Sequence, residues 1–387
     1  MTEVAPTVVV VGSGLAGFGV LRELRKLSPD SRLVLVTEEE GHFYSKPALS
    51  TALAKNKTAE TLVTTPAEKI AANLDLDSRI GRQALGIDRS AKALLTDGGP
   101  IHYDSLVLAT GASPVEPPIA GEAAHRAIAV NRLDHYDRFR REMPDGGRVL
   151  IMGSGLVGTE FANDLVTSGY KPVVVDMLAL PLAQLVPPGV GEKVRDALQE
   201  KGVEWHLSRK VEAIDYKHTD RGYLATLDDG TVVEADIVLS AVGLRPNVDL
   251  ALEAGLNVDS GIKVDEYGRT SDPDIYAIGD CAQYQNGLAA FVTPIMAAAR
   301  GIAPSALGDL TPIRFPPLSV QVKTTLFPIN LLPPQAGIAG EWQVLEGGAE
   351  GDKHIFVDRD RIVRGYVLTQ DKCAERMEMD KMVGETA

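Results

Sequence analysis

Apolar runs, glycine and helical periodicity alternate along this chain in an order that occurs twice. Residues 8–11 are an unbroken apolar run, which predicts a strand buried on both faces. Beyond it Val20, Leu21, Leu24 and Leu27 stand at i, i+1, i+4 and i+7, the spacing of a helix over Leu15–Leu27. Arg32–Thr37 reads as the next buried strand. The same order returns later. Residues 149–152 are apolar, Val157, Phe161 and Leu165 stand at i, i+4 and i+8, and residues 172–175 form the following strand. Each half is a β–α–β unit, two parallel strands joined by a crossover helix.

Two more segments match each other. Residues 103–111 and 234–243 each run through a buried strand to a glycine, Gly111 or Gly243, and then reach Pro114 or Pro246. Val211–Tyr216, Tyr223–Leu227 and, after the Asp228-Asp229-Gly230 turn, the stretch from Val232 onwards read as antiparallel strands. From about Ile313 the composition turns to Pro-rich loops, a hairpin over residues 354–357 and 362–368, and a final helix from about Asp371. The pattern predicts an α/β chain with two Rossmann-like dinucleotide-binding domains, the second inserted into the first, and a small α+β C-terminal domain. The expected boundaries are 1–113 and 246–312 for the split domain, 114–245 for the insert, and 313–387 for the last domain.

The chemistry sits where each strand meets its helix. Gly12, Gly14, Leu15, Ala16 and Gly17 form one GxGxxG loop, and Gly153, Gly155, Leu156, Val157 and Gly158 form the other. In such a loop the first glycine makes the turn and the second lets the backbone approach a pyrophosphate. The third lets helix and strand pack closely. Two loops in matching contexts imply two dinucleotides. Thr37 ends the second strand and Glu38, Glu39 and Glu40 follow, one of which accepts the adenosine ribose hydroxyls; Glu38 is the first in line. Asp176 stands 23 residues beyond Gly153. A carboxylate there suits an unphosphorylated ribose, whereas a 2′-phosphate would meet like charge, so the second dinucleotide is expected to be NADH.

Composition narrows the field. A net charge of −14 argues against nucleic acid. The lead over residues 1–6 is too short and polar for a signal peptide. The longest mostly apolar stretch, 288–300, is interrupted by Thr293 and Pro294 and falls short of the ~20 residues of a membrane span. A cytoplasmic protein without membrane insertion is expected, as a monomer or weak homodimer. Cys281 and Cys373 lie far apart with no CxxC and no Cys/His spacing of a metal site, which leaves no metal ligand set and no disulfide framework.

The most specific segment runs from Thr270 to Asp280 and resembles the second FAD motif of two-dinucleotide flavoproteins, a strand ending in Gly279-Asp280. Together with Tyr44-Ser45-Lys46-Pro47, Ala109-Thr110-Gly111, the GxGxxGxEFA run from Gly153, Ala241 to Asn247 and Tyr276 to Ala282, it resembles the glutathione-reductase-type superfamily. Within it the chain is similar to the rubredoxin reductases over essentially its whole length, and to the flavorubredoxin reductases. The resemblance implies FAD in the split domain, held by Gly12, Gly14, Leu15, Ala16, Gly17, Thr37, Glu38, Lys46, Pro47, Thr110, Gly111, Gly279, Asp280, Val292 and Lys323. It implies NADH in the insert, held by Gly153, Gly155, Leu156, Val157, Gly158, Glu160, Asp176 and Gly243.

In that family the lysine of the Ser-Lys-Pro turn lies beside the flavin, which points to Lys46. Glu160, on the first helical turn after the second loop, would face the nicotinamide. An ion pair between Lys46 and Glu160 is the expected catalytic arrangement. Thr293 as N-cap and Pro294 at the first helical position predict a helix whose N-terminus faces the flavin pyrimidine. Disulfide reductases of the superfamily place cysteines over the flavin, and residues 43–53 contain none. Electrons are then expected to leave singly, to rubredoxin or a rubredoxin-like acidic iron–sulfur protein, in service of an alkane hydroxylase or another rubredoxin-dependent oxygenase. Flavorubredoxin or a ferredoxin as acceptor is the alternative, and an NADH-binding redox sensor without turnover a remote one.

Overall fold

The computed structural model describes residues 5–217, 222–285, 287–288, 292–317, 319–335 and 337–387. Residues 1–4 of the lead and 289–291 of the apolar stretch lie outside them. The chain divides into two compact units. The first comprises Met1–Lys46, Val63–Ser113 and Leu244–Leu318; the second comprises Pro47–Leu62, Pro114–Gly243 and Ser319–Ala387. The C-terminal segment thus packs with the insert, and so does Pro47–Leu62, which the sequence assigns to the first domain.

The first unit is built on a parallel sheet ordered Ile275–Ala277, Ser105–Leu108, Thr7–Val11, Arg32–Thr37, Leu76–Ile80. Val8, Val9 and Val10 are wholly buried in its middle, the reason their run is apolar on both sides. Helix Leu15–Leu27 buries Val20, Leu21 and Leu24, and Leu27 is exposed at its end. Against it packs Val292–Ala306, with Ala299 within contact distance of Gly19. That helix starts one residue before the expected cap, so Thr293 lies inside it. Pro294 then stands in the first turn, where the N–H it lacks has no helical partner to lose.

The second unit carries its own parallel sheet, ordered Glu204–Leu207, Lys171–Asp176, Arg148–Met152, Ile237–Ser240. The antiparallel strands Val211–Tyr216, Tyr223–Leu227 and Val232–Ala235 form a separate three-stranded sheet. The C-terminal sheet is antiparallel, ordered Val320–Val322, Ile329–Leu332, Val363–Thr369, Lys353–Asp358, Gly340–Glu346. Its core is Tyr366, Val363, Leu368 and Ile355. The last helix begins as a 3-10 turn over Gln370–Glu375 and becomes α-helical over Arg376–Met382. Helix Leu156–Thr167 is buried without interruption from Gly158 to Leu165, polar residues included.

Candidate active site

Both glycine loops take the same shape, each within its own unit. Gly12 has φ +110°, and a side chain there would meet the Ala109 carbonyl oxygen at 2.2 Å; one on Gly17 would meet the Gly12 carbonyl oxygen at 1.9 Å. Backbone touches backbone at both positions, so neither tolerates a Cβ. Gly14 is different. A side chain there would meet nothing within 4 Å, which leaves its surface for a ligand. The second loop repeats the arrangement, with 2.6 Å from Gly153 to the Ala241 oxygen, 2.0 Å from Gly158 to the Gly153 oxygen, and open space at Gly155. Gly14 and Gly155 are the N-caps of their helices and no side chain caps either one. The first-turn N–H groups around Leu15, Ala16, Leu156 and Val157 are therefore available to a phosphate.

The strand after each helix ties its loop down through one side chain. Val11 pairs with Val36 and Met152 with Val175, so Thr37 and Asp176 hold equivalent places in the two sheets. Thr37 and Ser13 are joined through their hydroxyls at 2.9 Å. Asp176 Oδ2 accepts from the Ser154 N–H and from the Ser154 hydroxyl at 2.8 Å, and Oδ1 accepts from the Leu178 N–H at 2.7 Å. Three of the roughly four acceptor positions of a carboxylate are thus used, two on the loop and one on the turn after the strand, and one remains for a ribose hydroxyl. The counterpart of Asp176 is Thr37, and the acidic triplet begins one residue further out. Glu38 is exposed, and Glu40 lies 3.6 Å from the His42 ring.

In the first unit, Gly279 has φ +80°, and its Cβ position lies 2.9 Å from Ala16 Cβ, so the second motif presses on the first loop. Asp280 follows it. Burial pushes this carboxyl up, opposed by the charge of Lys46, and among the described residues no hydrogen-bond donor reaches it. Thr110 and Asn247 exchange two 2.8 Å bonds, the Asn247 N–H donates to the Gly111 oxygen at 2.9 Å, and Gly111 itself faces open space. A partly buried carboxylate with spare acceptors, beside bare glycines and a lysine, fits FAD: Asp280 for a ribityl hydroxyl, and the Gly12 loop for the pyrophosphate. Val292 is exposed at the start of its helix.

The second unit gathers the other polar groups on helix Leu156–Thr167. Glu160, buried to 2%, accepts from the Ser50 hydroxyl, from the Lys323 N–H at 3.0 Å, and from the Lys323 ammonium at 3.1 and 3.3 Å. Lys323, expected at FAD, spends both its backbone and side-chain donors on Glu160. Asn163 and Asp164 lie on the same side of the helix. Asp164 accepts from the N–H groups of Leu53 and Ala54 at 2.9 and 3.0 Å. Asn163 accepts from the Leu326 N–H at 3.1 Å and donates to the Thr325 hydroxyl at 3.2 Å. The sequence reading missed Ser50, Asn163 and Asp164. The signal of Asn163 and Asp164 was a polar stripe with Glu160 at i, i+3, i+4, which on an isolated helix means a solvated face; Ser50 had none. Gly243 has open space before it, like Gly111. Pro47 is half-buried and receives the Ser50 hydroxyl on its carbonyl at 3.3 Å.

Neither cysteine is set up as a thiolate. Cys281 is wholly buried, donates to the Leu108 and Ile278 carbonyls, and is pushed up by burial; half-buried Cys373 is pushed up in the same way. Among the described residues no His/Cys/Asp/Glu cluster could hold a metal ion. No described helix is long and apolar enough to cross a membrane.

Comparison with known proteins agrees with this geometry. The family model for pyridine nucleotide-disulphide oxidoreductases matches residues 6–299, and that for a rubredoxin binding C-terminal domain matches 312–383. The chain is 39% identical to a rubredoxin–NAD(+) reductase of Alcanivorax borkumensis over 97% of both chains. It is 34% identical to a nitric oxide reductase FlRd–NAD(+) reductase of Escherichia coli over 95% of this chain and 96% of that one. Among solved structures, the covalent putidaredoxin reductase–putidaredoxin complex superposes with a TM-score of 0.89 at 26% identity, over 98% of this chain and 94% of that one. The chain belongs to the pyridine nucleotide-disulphide oxidoreductase family, as an FAD- and NADH-dependent reductase that ends in a rubredoxin-binding domain.

Proposed function

We propose that this protein is an NADH:rubredoxin oxidoreductase of the cytoplasm. The observation that carries the reading is the pair of ligand-ready glycine loops without a reactive thiol, in a chain whose last domain matches a rubredoxin-binding model. FAD, once bound, supplies the conversion of a two-electron donor into single electrons. The chain's residues bind and orient. Asp176 and the Gly153 loop take NADH, and Asp280 with the Gly12 loop takes FAD. Lys46 in this reading favours negative charge on the reduced cofactor, and Glu160 serves the nicotinamide. One NADH yields NAD⁺, one proton and two electrons, which reduce two rubredoxin irons in succession.

Flavorubredoxin is the second reading, favoured by the Escherichia coli relative. Supply of an alkane hydroxylase is the downstream role most in keeping with the rubredoxin reading. NADH oxidation measured side by side with rubredoxin, flavorubredoxin and a ferredoxin as acceptors decides among them. The expected result is a kcat/KM at least tenfold higher for rubredoxin. A higher value for flavorubredoxin or ferredoxin would replace the partner, and failure to reduce even a one-electron dye would leave a sensor.

A further inference from the structure

Helix Leu156–Thr167 buries Thr159, whose hydroxyl donates to the Ser154 carbonyl, and three further polar side chains, Glu160, Asn163 and Asp164, each at 2% exposure or less. Such burial is unfavourable unless every group is paired. All three are paired, and always to chain outside the helix. Ser50, Leu53 and Ala54 come from the segment Pro47–Leu62; Lys323, Thr325 and Leu326 come from the C-terminal segment.

From this, and resting on the reading of the protein as an NADH-dependent flavin reductase, we infer that Asn163 and Asp164 are positioning residues. They hold the segments 47–54 and 323–326 closed around Glu160, so that Ser50 and Lys323 keep its carboxylate fixed at the start of the second turn of the NADH-binding helix, one turn later than the sequence predicts.

The Asp164 grip has a chemical requirement. Oδ2 takes the Leu53 N–H and Oδ1 takes the Ala54 N–H, so both oxygens must be acceptors. The ionised carboxylate offers two charge-assisted acceptors; protonation makes one oxygen a hydroxyl, a weaker acceptor whose own proton must find a partner. Burial pushes this carboxyl up to about 6. Lys55 on the gripped segment favours its charge, and Glu160 on the same helix opposes it. From helix Leu133–Glu142, Tyr136 faces it, itself bonded to Arg140. Those last two residues hold the far end of the segment independently. The Tyr136 hydroxyl and Arg140 donate to the Lys57 oxygen at 2.8 and 2.5 Å, and Arg140 donates to Asn56 Oδ1 at 2.9 Å. Loss of the Asp164 grip therefore loosens the Ser50 end and leaves the Asn56–Lys57 end attached.

The test compares FAD-loaded wild type with Asp164→Asn and Asn163→Ala. Stopped-flow bleaching of the flavin by NADH gives the limiting rate and the NADH dissociation constant from pH 5.5 to 8.5. In wild type the limiting rate falls as pH drops through about 6. In Asp164→Asn it is about tenfold lower at pH 7.5, has no inflection near 6, and the dissociation constant stays within about twofold. Asn163→Ala lowers the rate and keeps the inflection. A variant with the wild-type rate and pH profile would overturn the inference.

Hydrogen exchange separates this claim from the functional reading. The Leu53 and Ala54 amides should exchange at least about tenfold faster in Asp164→Asn, with the Tyr136 amide, bonded to the Arg132 oxygen, unchanged. Equal protection would overturn the clamp even in a protein that reacts with NADH. If wild type does not react with NADH, the functional reading fails and exchange alone judges the clamp. Should Asp164→Asn not fold, wild-type exchange at pH 5.5 against 7.5, corrected for the intrinsic rate, decides by the same criterion.

Discussion

Asp176 shows how one carboxylate can serve both a fold and a specificity. Its bonds to Ser154 and Leu178 shape the second loop, and in the proposed function its remaining acceptor position takes a ribose hydroxyl. Thr37 does the first job in the other unit with a hydroxyl. Asp176→Ala should therefore raise KM for NADH by about tenfold, in line with ~1.4 kcal/mol for a lost charge-assisted bond, and lower the NADH-over-NADPH preference. Steady-state kinetics with both nucleotides checks this, and an unchanged preference would limit Asp176 to holding the loop. The acid's place at the strand end was legible from its spacing. Its use on Ser154 was not, because a hydrogen bond back to a loop 22 residues earlier depends on sheet register.

At the scale of elements, what was legible is what periodicity controls. Residues 8–11 and 149–152 are buried on both faces, so an unbroken apolar run identified them, and helix Leu15–Leu27 shows its apolar spacing plainly. Strand Gly340–Glu346 left no such mark. It is an edge strand with polar Glu341, Gln343 and Glu346 among exposed neighbours, so its sequence reads as loop. The buried polar stripe of Leu156–Thr167 misleads in the opposite sense: two distant segments cover it, and nothing local announces them. The glycine loops permit a sharp contrast. Gly158→Ala should cost about 3 kcal/mol by urea unfolding, because its Cβ would meet a backbone oxygen at 2.0 Å. Gly155→Ala, into open space, should cost under about 1 kcal/mol and instead weaken NADH binding. Equal unfolding costs would refute this division of labour.

For the whole molecule, the order of motifs along the chain carried the architecture further than any single motif did. Two β–α–β units, the second nested in the first, follow from sequence repeats; the assignment of Pro47–Leu62 and the C-terminal sheet to the second unit follows only from three-dimensional contacts. Both thiols sit in apolar or backbone-lined places that disfavour the thiolate. That leaves a bound flavin as the route between a hydride donor and a protein acceptor. The most direct test is anaerobic, with FAD-loaded protein and excess oxidised rubredoxin, adding NADH in substoichiometric steps while following the rubredoxin and flavin absorbances. Two rubredoxins should be reduced per NADH consumed, unchanged in Cys281→Ser and Cys373→Ser variants. No rubredoxin reduction while NADH bleaches the flavin, or loss of transfer on replacing either cysteine, would contradict it.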